Sequence, residues 1–310
     1  MSEMDRREFL GRTAAAVGTT LGLPAFAAEK PGNRPAGAAA AATRPAGRKI
    51  LRANDQIVLG KTGIKTSRLA IGTGSKGGSE QHKAGKESMI KLLRGAVDEG
   101  VRWWDVADSY KTHPYAHDTL KELKRDQVVI TTKTGKKDAA GVKADLERFR
   151  NELGTDYIDI VLLHCMMDDQ WPEKMRGPMD VLSEAKQKGW VRAVGVSCHT
   201  FGALQAAANE PWVEVDLARF NPFGKLMDET APGQVDVHKV AEVLETMHRR
   251  GKVVYGMKIL GEGQIKGDQI DESLRFALSK PYISGFTIGF SKPEQIADIS
   301  RRMKAIRATG

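Results

Sequence analysis

Cysteine is scarce in this sequence: Cys165 and Cys198 are the only two among 310 residues. Two thiols exclude a disulfide framework and an iron–sulfur cluster, which needs about four thiolates. Long apolar runs are missing as well. The small and apolar stretch Thr13–Ala28 falls short of the roughly 20 residues that cross a bilayer, so no stable membrane anchor is expected. There is no acidic excess, the formal charge being +9. Residues 1–49 hold eight basic and four acidic side chains, +4 of that total, which leaves the remainder mildly basic. Such a balance suits an anionic cofactor and demands no nucleic acid. With 41% hydrophobic and 28% charged residues, the bulk of the chain has the composition of a globular protein, and extensive disorder is excluded.

The first fifty residues read as an address and a tether. Arg6-Arg7 precedes the apolar run, which ends in Pro24-Ala25-Phe26-Ala27-Ala28, a small-x-small pattern that a signal peptidase could cut. This order resembles a twin-arginine translocation signal, a route that exports proteins already folded. The expected organisation is a signal peptide over 1–28, a flexible Ala/Pro/Gly linker over 29–48 and one folded domain over 49–310. The linker has too little bulky apolar surface to offset its ordering entropy. The twin-arginine export machinery is an expected partner, and the periplasm or another exported compartment the expected location.

Beyond Ile50 the chain alternates β-rich runs with helix-period segments. Ile57–Ile64 has glycine at turn positions and predicts a small hairpin. Apolar runs follow at 68–72, 101–106, 127–132, 157–164, 191–197, 213–220, 253–257 and 283–290. Between them lie helical patterns such as Met89, Leu92, Leu93 and Ala96 on one face, stopped by Gly100. Eight strands, each followed by a helix, predict a (β/α)8 TIM barrel with a short N-terminal β-hairpin. The rival doubly wound sheet lacks its usual phosphate loop, because the glycine cluster Gly72–Gly78 runs into a polar segment.

In such a barrel the carboxyl ends of the strands converge on one face. Asp105 closes the second strand, Tyr110 follows in its loop, Lys133 ends the third and His164 the fourth. Charged residues at those ends are costly unless paired. Together they make a proton-transfer set. A free tyrosine titrates near pH 10, a lysine ammonium beside it favours the phenolate, and an aspartate fixes that lysine. His164 can orient a substrate oxygen. Such a set protonates an oxygen that has received a hydride, or deprotonates an alcohol in reverse. No strong pattern for a Ser/Cys nucleophile or a carboxylate pair is present.

The order Asp105-x4-Tyr110, Thr132-Lys133, Leu163-His164 resembles the catalytic tetrad of the aldo-keto reductase family. Leu59–Gly63, Leu69–Gly74, Trp104–Tyr110 and Gly195-Val196-Ser197 resemble that family's opening hairpin, first strand, signature segment and strand-five end. The resemblance implies an NAD(P)H-dependent oxidoreductase acting between a carbonyl and its alcohol. Tyr110 would be the general acid, tuned by Lys133 and Asp105, with His164 positioning the small-molecule carbonyl or alcohol substrate. Its cofactor residues would be Gly72, Thr73, Ser197, Cys198, Met257, Gly289, Ser291, Lys292 and Gln295, with a leaning to NADP and NAD the alternative.

There are departures. The family's asparagine after the strand-five serine is replaced by Cys198, followed by His199, and its strand-six glutamine by Leu217. Tyr255 or Met257 stands where an aromatic ring stacks on the nicotinamide. The family's arginine after strand eight is replaced by Ser291, with Lys292 as a point charge for a 2′-phosphate, and its adenine-side asparagine by Ile299. These motivate an alternative: a non-catalytic barrel binding a small molecule or carbohydrate, its cofactor contacts degraded. Trp103 and Trp104 are expected to pack, one on each side of the sheet. Trp171 and Phe223 are candidates for substrate contact. Whether Cys165 and Cys198 pair is open, and without tight ligand pairs no metal is expected.

Overall fold

A computed structural model describes residues 51–306; the expected signal peptide and linker lie outside them. The chain opens with an antiparallel hairpin, β1 (Gln56–Leu59) and β2 (Ile64–Ser67). Eight further strands follow: β3 (Leu69–Gly72), β4 (Trp103–Asp105), β5 (Val129–Thr134), β6 (Ile158–Met166), β7 (Val191–Cys198), β8 (Val215–Arg219), β9 (Val253–Met257) and β10 (Ile283–Gly289). They form a closed barrel of parallel neighbours, sealed where β10 pairs with both β9 and β3. The expected TIM barrel and its hairpin are both present.

The helices are α1 (Ser79–Ala84), α2 (Lys86–Asp98), α3 (His113–Leu120), α4 (Ala139–Leu153), α5 (Trp171–Lys174), α6 (Arg176–Gln187), α7 (Phe201–Asn209), α8 (Val237–Arg249), α9 (Gln269–Leu278) and α10 (Pro293–Ala305). Among these described residues no helix is long and apolar enough to cross a membrane.

Strand alternation sorts the core into two layers. Ala70, Trp103, Ile160, Leu162, Val215, Leu217 and Tyr255 pack together inside the barrel, with Leu59 and Ile64 of the hairpin in the same cluster. Ile71, Trp104, Ile130, Val161, Val194 and Val254 face the helices. Trp103 and Trp104 are thus both packing residues, one on each side of the sheet, and Trp103 stacks on Tyr255 with centroids 4.0 Å apart. Trp171 is also buried, donating its indole N–H to the Ala203 carbonyl at 3.1 Å. It braces α5 against α7 and is not exposed at a substrate surface. Cys165 is exposed, Cys198 is buried, and both are free thiols, so no disulfide joins β6 to β7.

Candidate active site

Backbone strain marks the functional face. Among the described residues the non-glycine positions with positive φ are Lys76, Lys111, Cys165, Leu226, Lys258 and Glu262. All six lie at or just after the carboxyl end of a strand, where such conformations gather around binding and catalytic sites.

The four tetrad candidates meet on this face. The Lys133 ammonium is completely buried; it pairs with the Asp105 carboxylate and donates to the Val106 carbonyl at 2.9 Å. Its nitrogen lies 4.8 Å from the centre of the Tyr110 ring. The threonines on either side of it are anchored, Thr132 to His113 and Thr134 to Asp145, so the strand cannot swing. His164 meets the Tyr110 ring edge-on at 5.7 Å, with Ser109 Oγ 3.5 Å from its Nδ1.

Burial lowers the affinity of Lys133 for its proton, but Asp105 and Tyr110 together outweigh burial and the lysine stays charged. For Tyr110 the balance goes the other way. Burial pushes the phenol up, Lys133 pulls it down, and the net shift is above the ordinary tyrosine value. Lysine acts in the expected direction, but burial outweighs it, so the phenol is not made more acidic than an ordinary tyrosine as the sequence suggested. His164, buried and close to Lys133, is lowered to about 3 and is a neutral imidazole.

A cavity of about 670 Å³ leads away from Asp105 and Tyr110 past Gly72, Leu217 and Met257 to Gly289, Ser291, Gln295, Asp298 and Ile299. Of the expected cofactor residues, Gly72, Met257, Gly289, Ser291 and Gln295 line it. The other four stand off its wall. The Thr73 hydroxyl bonds the Asp105 carbonyl and Thr112, and Ser197 Oγ accepts from the Cys165 amide. Cys198 sits in the helix-facing core, and Lys292 is the exposed residue capping α10. Tyr255 is enclosed in the barrel, which leaves Met257 as the one of that pair on the cavity wall. The departures Leu217 and Ile299 are wall residues too, so the cavity is more apolar there than the family pattern.

Sequence reading named His199 without its contacts and did not single out His82. His199 Nδ1 accepts from Arg219 at 2.6 Å and lies 3.2 Å from Cys165 Sγ. His82 touches Tyr110 directly. Their partners lie 20 to 34 positions away in the chain, and only the folding of the barrel brings them together.

A closed parallel barrel with a buried Asp–Lys pair beside a tyrosine at the carboxyl ends of its strands is an arrangement suited to proton transfer. The aldo/keto reductase family pattern matches residues 68–273, and the chain belongs to that family of NAD(P)-dependent oxidoreductases. It is 26% identical over 243 residues to the aldo-keto reductase YhdN of Bacillus subtilis, covering 72% of this chain and 71% of that one. It is 28% identical over 167 residues to the NADH-specific methylglyoxal reductase of Escherichia coli, covering 46% of this chain and 51% of that one. Among solved structures, an aldo-keto reductase of Bacillus halodurans in holo form superposes with a TM-score of 0.66 at 17% identity, covering 82% and 92% of the two chains. One from Klebsiella pneumoniae in complex with NADP and acetate gives 0.64 at 18%, covering 82% and 91%.

Proposed function

We propose that this chain reduces a small carbonyl compound, or oxidises the matching alcohol, with Tyr110 exchanging the proton and NADP(H) as the cofactor. The observation that carries the reading is the buried Lys133 ammonium, held between the Asp105 carboxylate and the Tyr110 ring. The cavity fits a dinucleotide. Its volume lies in the range of ligand sites. The buried Gln81 on its wall donates to Ser75 and Phe290 yet leaves its own side-chain oxygen without a partner. At Gly289 a methyl group would fall 1.9 Å from Ser75 Oγ, so a side chain there would crowd that same wall. NADP in the Klebsiella relative supports the phosphorylated cofactor, and the Escherichia coli relative makes methylglyoxal, with either nucleotide, a first assay.

Gly72, Met257, Gly289, Ser291 and Gln295 would hold the cofactor, which supplies or accepts the hydride at the substrate carbon. The neutral His164 donates a ring N–H to the substrate oxygen and orients it without adding charge. Tyr110 gives its proton to that oxygen as negative charge develops, and Lys133 stabilises the phenolate left behind. Asp105 keeps Lys133 charged and fixed. Because the phenol lies above its ordinary value, reduction should hold its rate through neutral pH and fall only in alkali, whereas alcohol oxidation should rise with pH.

Tyr110→Phe should cut the turnover of methylglyoxal with NADPH or NADH by roughly 100- to 10,000-fold while nucleotide fluorescence still reports binding. Turnover at the wild-type rate would remove Tyr110 from the mechanism. Failure of both nucleotides to bind would favour the non-catalytic binding barrel. For location, the proposal is twin-arginine export. Replacing Arg6 and Arg7 by lysine should hold the protein in the cytoplasmic fraction, and unchanged export would reject this route.

A further inference from the structure

The glycine cluster Gly72–Gly78 and the short α1 behind it are only partly used by the cavity, yet they converge on one residue. His82, on α1, bonds the Tyr110 backbone carbonyl through Nε2 at 2.8 Å and the Tyr115 hydroxyl through Nδ1 at 2.6 Å. A carbonyl only accepts, so Nε2 carries the proton and Nδ1 accepts from Tyr115. Tyr115 is buried in the helix-facing core and meets the His82 ring edge-on at 5.6 Å. The chain of contacts therefore runs from a fixed core residue, through one imidazole, to the backbone of the proton donor.

The neighbouring glycines close on the same target. A Cβ at Gly74 would lie 2.4 Å from Cε2 and Cζ of the Tyr110 ring, and one at Gly78 would lie 2.7 Å from its carbonyl oxygen. Bare backbone is needed at both places because the segment lies flush against Tyr110. On the other side, Asp108 in the same turn is tied to Arg148 of α4 at 2.9 Å. The turn is left with the strained Lys111 at its exit. A turn of that kind needs support from outside to hold one geometry.

We infer that His82 is a positioning residue for Tyr110: it holds the carbonyl of that turn so that the phenol stays between Lys133 and His164. The inference rests on Tyr110 being the proton donor. It adds that the donor's placement is set by the loop after the first barrel strand, a segment that carries no tetrad residue. A displacement of about 1 Å in a reacting group costs on the order of 100-fold in rate, so loss of the clamp should be visible in kcat.

The test compares His82→Ala, His82→Gln, Tyr115→Phe and Tyr110→Phe in the full chain, with methylglyoxal and NADPH or NADH as the probe reaction. His82→Ala should lower kcat by about 10- to 100-fold with KM changed far less. It should also move the alkaline limb of the kcat profile to lower pH as water reaches the phenol. His82→Gln keeps a donor for the carbonyl and should restore part of the loss; Tyr115→Phe should cost less than His82→Ala. A readout independent of turnover is the ring-carbon NMR resonance of Tyr110, identified as the one missing in Tyr110→Phe. It should shift or broaden in His82→Ala. A folded His82→Ala with wild-type kcat, or with a lower kcat but an unmoved pH limb and an unmoved Tyr110 resonance, overturns the inference. Full turnover in Tyr110→Phe would instead overturn the functional reading on which it stands.

Discussion

At the scale of single residues, one costly group lies outside the chemistry. Asp216 on β8 is completely buried, and its carboxylate oxygens meet no nitrogen or hydroxyl donor, only the weak pull of the neighbouring Cys198 thiol. Its neighbours Val215 and Leu217 face the barrel interior, so strand alternation turns Asp216 toward the helices. Burial pushes its pKa up to about 7. The unfolded chain releases that proton near pH 4, so the folded state binds more protons between about 4 and 7. The aspartate therefore costs little below pH 4 and progressively more up to about pH 7, approaching ~4 kcal/mol at one pKa unit per 1.36 kcal/mol. Asp216→Asn removes the charge at nearly constant volume. Urea denaturation should show the variant more stable than wild type by roughly 1–3 kcal/mol at pH 8, with no gain at pH 4. An equal difference at both values would mean that the carboxylate is not the cause.

Secondary-structure elements are where reading the sequence worked best and where its limit shows most clearly. Each of the eight barrel strands falls within or across its apolar run, and β9 coincides with residues 253–257. Those runs are legible because a strand covered on both faces must be apolar throughout. The helix starts follow local chemistry as well: Asp138, Thr200 and Asp236 each accept a hydrogen bond from the first turn of their helix. Asp236→Ala should cost about 1 kcal/mol, seen as a lower urea midpoint with an unchanged slope; a change below about 0.3 kcal/mol would show that water replaces the cap. Asp105, Lys133 and His164 were legible too, because ionisable side chains at apolar strand ends are conspicuous; Tyr110, in a loop, was placed by its spacing from Asp105. The contacts that tie the surrounding loops together were not legible. The Asn221 side chain donates to the Lys225 and Lys258 carbonyls and accepts from the Phe223 and Lys225 amides. It thereby ties the loop after β8 to the one after β9. Nothing in the local pattern of either loop announces that tie, nor the bond from His82 to Tyr110. Trp171 misled for the same reason: a tryptophan in a loop segment looks exposed until a helix is laid over it.

For the whole molecule, titration behaviour follows from groups that folding pushes in opposite directions. His113, His164 and His199 are all lowered, burial being the largest cause in each, and the latter two reach about 3. The unfolded chain takes up these protons near pH 6.5 and the folded one does not. Stability present above pH 6.5 is therefore lost as the pH falls, by about 3 kcal/mol per pH unit for His164 and His199 together, with His113 acting in the same direction. Asp216 and Asp228 act against this. Burial raises them to about 7 and about 6, so the folded state regains stability as they protonate on the way down to about pH 4. Much of the histidine loss is offset in that window. Below it the aspartates give nothing more, while Asp108 and Glu152, both lowered by contacts to Arg148 and their other partners, begin to lose their stabilisation. The melting temperature should therefore change only gently between about pH 5 and 7 and drop steeply below about pH 4. Total stabilities of 5–15 kcal/mol make a loss of this size enough to unfold the barrel. The balance is open to a direct check, since Asp216→Asn removes one of the two opposing groups and should make the decline between pH 7 and 5 steeper than in the wild type. Melting curves across pH 3–8 for both proteins decide the matter. Parallel curves, or a wild type that gains stability continuously from pH 4 to pH 8, would show that the buried histidines and aspartates do not oppose one another.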